Sequence, residues 1–112
     1  MERLIDMQED VVIGRKFDQE KPRYDLLPAN ALEEVVKVLT YGASKYDDEN
    51  WRKVPEGRRR YFAASQRHLW QYKRGELIDA DSKCYHLACA ITSLMFMLEK
   101  ELTNEPDIKD VK

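Results

Sequence analysis

"LACAITSLMFML", residues 87–98, decides the fold class. It is the longest apolar stretch of the chain, is interrupted by Thr92 and Ser93, and is too short to span a bilayer. Its Leu, Ala and Met content favours helix over strand. Apolar side chains occur nearly all round such a helix, at Leu87, Ala90, Ile91, Leu94, Met95, Phe96 and Leu98, which implies burial on several sides. Outward from it, helix three is expected to begin near Ser82, a good N-cap, and to run to about 101. "RRRYFAASQRHLWQYKR" predicts helix two over about 58–74, with Tyr61, Ala64, Ser65, Leu69 and Tyr72 on one side and Gly75 as its stop. Leu32, Val35, Val36 and Leu39 follow the i, i+3, i+4, i+7 rule and predict helix one over roughly 29–45, opened by Pro28. Gly42 either ends that helix or admits a close neighbour.

Three helices cannot cover so apolar a third helix, and self-association about a twofold axis is the natural remedy. The expected fold is therefore all-α: a small bundle of three main helices with an irregular N-terminal arm (1–27) and a loose polar tail (103–112), completed by homo-oligomerisation to a dimer or tetramer. With 112 residues this is one domain, spanning 1–112. Hydrophobic residues at 43% and charged ones at 36% suit a folded, soluble chain. The net charge of −2 argues against a stable nucleic-acid complex, and the Arg58–Arg59–Arg60 run reads as a solvated helix start. Cys84 and Cys89 fall on different faces of a helix, so they read as reduced core residues rather than a disulfide, and no zinc spacing occurs. "MERLIDMQED" has no signal-peptide core, and the expected location is cytoplasmic with no membrane partner.

"RGELIDADS" (74–82) puts Glu76, Asp79 and Asp81 into the connection between helices two and three. A solvated turn and a divalent-cation site both fit; the E-x-x-D spacing of Glu76 and Asp79 can aim two carboxylates one way. Glu33 forms an i, i+4 pair with Lys37, whereas Glu34 borders the apolar stripe and wants a partner there, metal or base. His68 and His86 sit on the helices that flank the acidic turn, as hydrogen-bonded structural residues or as ligands. Trp51, in a polar loop, is either a core plug or a platform for a planar ligand.

Three segments, "KFDQEKPRYDLLP" (16–28), "VLTYGASKYDDENW" (38–51) and "RYFAASQRHLWQYKRGELIDADSKCYHLACA" (60–90), together resemble the phage dATP/dGTP diphosphohydrolase family, a MazG-like branch of the all-α nucleoside triphosphate pyrophosphatases. The resemblance implies metal-dependent cleavage between the α- and β-phosphates of a nucleoside triphosphate, with Mg²⁺ or Mn²⁺ as cofactor, in the cytoplasm of an infected host cell. It assigns the metal to Glu33, Glu34, Glu76 and Asp79, and catalysis to Glu34, Glu76 and Asp79. Lys37 stands where the superfamily has a third acid, a gap that Asp81, His68 or His86 could fill. A triphosphate carries several negative charges, so basic groups should hold its outer phosphates; Lys16, Lys21, Arg23, Lys45 and Arg67 are the candidates, with His68 and His86 beside them. Asn50 and Trp51 are the candidates for the base. Two other readings stay open: a non-catalytic helical adaptor, and the same fold acting on dUTP or a damaged nucleotide.

Overall fold

The computed structural model describes residues 12–109. The chain runs through a 3₁₀ turn (Tyr24–Leu26), α1 (Ala29–Lys45), a second 3₁₀ turn (Asn50–Lys53), α2 (Gly57–Lys73) and α3 (His86–Leu102). Among the described residues the sole β element is an isolated antiparallel bridge between Ile78 and Tyr85, so the all-α expectation of three main helices holds. The Pro28 carbonyl accepts the first α1 bond from Leu32 at 3.0 Å. Gly42 neither ends the helix nor receives a close neighbour, since α1 continues to Lys45 and the space beside Gly42 is open. Beyond α2, Gly75 takes φ +105°, a conformation glycine adopts without steric cost. α3 starts at His86, not near Ser82. The reason is local: the Asp79 carboxylate captures the Ser82 amide (2.8 Å) and hydroxyl (2.7 Å), so Ser82 closes a turn instead of capping a helix.

α2 and α3 form the most extensive helix contact, and α1 packs on α3. The buried positions are mostly small: Ser65 on α2, and Ala88, Cys89, Ala90, Thr92 and Ser93 on α3, joined by Val35 of α1, with His86 and Lys100 the large buried side chains of α3. Short side chains let helix axes approach closely. Their hydroxyls bond within their own helices, Ser65 to the Phe62 carbonyl at 2.7 Å and Thr92 to the Ala88 carbonyl at 2.8 Å, so burial leaves them satisfied. Cys84 and Cys89 are free and buried, as expected. No helix among the described residues is long and apolar enough to cross a membrane.

The large apolar side chains of α3 lie mostly on the opposite face. Leu87, Ile91, Leu94, Leu98 and Leu102 are 39%, 43%, 47%, 58% and 71% exposed, at spacings of three or four residues that make a continuous stripe. Leu32 and Val36 of α1 are exposed too, as are Val12, Ile13 and Phe17 of the arm. The described part of the arm, 12–27, is irregular apart from its one 3₁₀ turn, as expected.

The tail differs from its expectation. It is docked as far as Ile108, whose carbonyl accepts from the Glu56 amide at 2.7 Å. Glu105 pairs with Arg52, and Asp107 accepts from the Arg58 guanidinium at 2.9 Å and from the Arg58 amide at 3.3 Å. An acid at the first turn of α2 offsets the positive end of the helix dipole, which explains why a polar segment becomes ordered. Arg58 is therefore occupied by Glu101, Asp107 and two carbonyls, and is no part of a free basic patch.

Candidate active site

A cavity of about 690 Å³ opens between α1, the Asp47–Trp51 loop and the α2–α3 pair. From α1 come Tyr41, Gly42 and Lys45; from the loop Asn50 and Trp51; from α2 Tyr61, Arg67 and His68; from the acidic turn Asp79, Asp81 and Ser82. The helical period explains the first set, because Tyr41 and Lys45 are four residues apart and share a face. Trp51 is half-buried, stacked on Phe96 of α3 at 4.6 Å between ring centroids with planes 7° apart, while the Arg52 guanidinium lies 4.3 Å from its centroid. Tyr61 meets Phe96 edge-on at 5.1 Å. Trp51 is thus a packing residue that also lines the cavity.

The three acids of "RGELIDADS" have three different partners. Asp81 accepts from the Tyr41 hydroxyl at 3.1 Å and from Lys45 Nζ at 3.3 Å, tying the turn to α1. Asp79 uses Oδ2 for both Ser82 bonds. Glu76 Oε1 lies 3.0 Å from His86 Nε2, and His86 Nδ1 lies 2.9 Å from His68 Nδ1, so a carboxylate and two imidazoles form one line. The turn holds its shape through the Asp79 amide to the Cys84 carbonyl (2.8 Å) and the His86 amide to the Leu77 carbonyl (3.0 Å).

Electrostatics follow from these contacts. Burial alone would raise the Asp79 carboxyl, but the backbone and side-chain bonds from Ser82 and the nearby His68 outweigh it, so Asp79 ionises below its ordinary range. Burial, and then His86, hold His68 below the usual histidine value, so its ring is neutral at pH 7. The Asp81 hydrogen bond raises Lys45, which keeps its charge. Burial pushes the Cys89 thiol up.

Seven of the site candidates singled out from the sequence therefore line one cavity: Lys45, Asn50, Trp51, Arg67, His68, Asp79 and Asp81. His86 touches that set through His68, and Glu76 through His86. Lys16, Lys21 and Arg23 do not line it; all three are exposed on the arm, and Arg23 pairs with Asp25 at 2.7 Å. Glu33 is exposed and likewise outside. Glu34, not Glu33, is the partner of Lys37, at 3.0 Å, because the i, i+3 geometry wins over the expected i, i+4 pair. Among the described residues the group of three whose metal-ligating atoms converge is His68, Asp79 and His86, all within 4.8 Å of one another; neither glutamate of α1 belongs to it. Tyr41 and Tyr61 were not singled out as site residues. For Tyr41 a signal existed, its place one turn before Lys45, whereas nothing in the spacing distinguishes Tyr61 from a core aromatic.

The described chain has relatives. The family model dATP/dGTP diphosphohydrolase, N-terminal, matches residues 12–110. A dATP/dGTP diphosphohydrolase of Salmonella phage PMBT28 is 33% identical over 97 residues, which is 87% of this chain and 32% of the relative, so the chain spans about a third of that protein's length. No solved structure matches. With nearly its whole length inside the family model, the chain belongs to the dATP/dGTP diphosphohydrolase N-terminal family.

Proposed function

We propose that this domain binds a purine deoxynucleoside triphosphate in the cavity beside Asp79 and, with Mg²⁺ or Mn²⁺, hydrolyses it between the α- and β-phosphates to the monophosphate and pyrophosphate. The observation that carries the reading is that one nucleotide-sized cavity gathers two cations (Lys45, Arg67), an acid of depressed pKa (Asp79) and aromatic walls (Trp51, Tyr61). Lys45, steadied by Asp81, and Arg67 hold the outer phosphates. Asn50 offers a donor and an acceptor to the base. Asp79 orients the attacking water from the cavity wall. A bound dication would supply charge neutralisation on the triphosphate and a more acidic water. Of the two cations, Mn²⁺ accepts imidazole as well as carboxylate, whereas Mg²⁺ prefers oxygen, so the histidines beside Asp79 favour Mn²⁺.

The exposed α3 stripe supports self-association as part of the same reading. Apolar positions three and four apart suit knobs-into-holes packing, and a twofold axis lets one stripe cover itself. A second copy is the occupant because the arm's apolar residues are also uncovered, and because the buried core of one chain contains hardly any large side chain. Glu33 and Glu34 enter the site, in this reading, through such a pairing.

The test is a panel of nucleoside triphosphates with each metal, scoring pyrophosphate against orthophosphate. Pyrophosphate from dATP and dGTP is expected; orthophosphate alone removes α–β cleavage, preference for dUTP or an oxidised base transfers the fold to another substrate, and no release from any nucleotide favours the adaptor. Asp79→Asn should abolish turnover with the helical circular dichroism intact. Glu34→Gln should do the same, and full activity there excludes Glu34.

A further inference from the structure

The Glu76–His86–His68 line raises a question that triphosphate chemistry does not answer: why two imidazole nitrogens meet nose to nose beside a carboxylate. We infer that His68 Nδ1, His86 Nδ1 and Asp79 are ligands of one first-row transition-metal dication, with Glu76 holding His86 from behind. This deepens the proposed function by naming the ligand set of the site. It replaces the carboxylate-only set expected from the sequence.

Several observations converge on it. Cis ligands around a six-coordinate ion with metal–nitrogen bonds of about 2.1 Å lie about 3 Å apart, and the two Nδ1 atoms are 2.9 Å apart. One ligand atom from each of His68, Asp79 and His86 lies within 4.8 Å of the other two, and with Oδ2 bound by Ser82 the Asp79 Oδ1 has no hydrogen-bond partner among the described residues. His86 is 3% exposed, and its other nitrogen is 3.0 Å from Glu76 Oε1. A metal-binding histidine characteristically donates its remote N–H to a carboxylate, which fixes the tautomer and raises the basicity of the nitrogen that binds. Glu76 thereby forces the His86 lone pair onto Nδ1, toward His68. His68 lines the cavity, so the ion would face the space offered to the nucleotide. Two imidazoles and one carboxylate suit Mn²⁺, Fe²⁺, Co²⁺ or Zn²⁺ better than Mg²⁺, which prefers an all-oxygen shell. Cys89 also lines the cavity, but its burial-raised thiol and its contact with Ser82 leave it a poor competitor for the ion.

The chain has two histidines in all, which makes the test direct. The untagged 112-residue chain, stripped with chelator and labelled at its histidine nitrogens, is titrated with Zn²⁺ alone and followed by nitrogen-15 NMR. The expected result is one equivalent bound, with both Nδ1 signals moving to the metal-bound range and both Nε2 signals keeping their protons. Co²⁺ in place of Zn²⁺ should give visible d–d absorption of the same stoichiometry. Glu76→Gln should weaken binding by roughly 10- to 100-fold while preserving the cobalt spectrum, the signature of a positioning residue. No stoichiometric binding, one histidine moving alone, or ligation through Nε2 would each overturn the inference. So would a His68→Gln, His86→Gln double variant that keeps its helical signal and binds Co²⁺ as tightly as the parent. No nucleotide is present, so the outcomes separate: metal binding without hydrolysis sinks the proposed function and keeps the ligand set, and hydrolysis without metal at the histidines does the reverse.

Discussion

Single atoms decide what two glycines contribute. A Cβ added at Gly57 would lie 2.8 Å from Lys100 Nζ, a buried ammonium that sits 3.0 Å from Asp107 Oδ1 without a well-directed hydrogen bond. Gly57→Ala must push that ammonium from its pocket, and we expect a loss of about 1–3 kcal/mol, the usual cost of overpacking, in urea unfolding. A Cβ at Gly42 meets nothing within 4 Å and lies inside a helix. Gly42→Ala should therefore stabilise by about 0.5–1 kcal/mol. A fall in the melting temperature of Gly42→Ala would show that the cavity wall there is under strain.

At the scale of elements, the order of the tail and of the α2 start rests on one carboxylate. Asp107 is penalised by burial but more strongly favoured by Lys100 and by the Arg58 amide, so it ionises below its ordinary value. A carboxylate whose folded pKa is depressed contributes stability that is complete above its unfolded pKa, about 3.9, and lost as pH falls through the lower folded value. Acidification below about pH 4 should thus release the tail before α1 melts, as increased amide exchange at Glu56 and Arg58. Asp107→Asn leaves a buried ammonium without its counterion; removing one partner of a buried pair costs about 3–5 kcal/mol, and Asp107 is partly solvated, so about 2–3 kcal/mol is expected. The variant should also lose the acid-dependent part of the exchange, and an unchanged acid profile would clear Asp107 of this role.

For the whole molecule, the apolar residues left outside outweigh those inside. Leu94 and Leu98 stand at the middle of the α3 stripe, and the wild-type chain should elute and scatter as a dimer or larger assembly. Leu94→Lys with Leu98→Glu should yield a monomer, or unfold the chain if no folded monomer exists; both outcomes support the assembly. A wild-type monomer at micromolar concentration would refute it.

Periodicity by itself determined the helices: the stripe of α1, the stop at Gly75 and the apolar run of α3 all reflect side-chain spacing, a property any local window carries. Their starts were less legible. Ser82 has the composition of a cap, yet Asp79 three residues earlier competes for its hydroxyl, and only the folded turn decides that contest. Likewise the tail looks polar and loose until Arg58, 49 positions before Asp107, and the buried Lys100 at the end of α3 present their charges. The family was legible in three quoted segments. The partners of the acids were not: Glu34 pairs with Lys37, Glu76 with His86 and Asp81 with Lys45, because hydrogen bonding and ion pairing act through space, and only tertiary structure brings His68 of α2 to His86 of α3 beside Asp79.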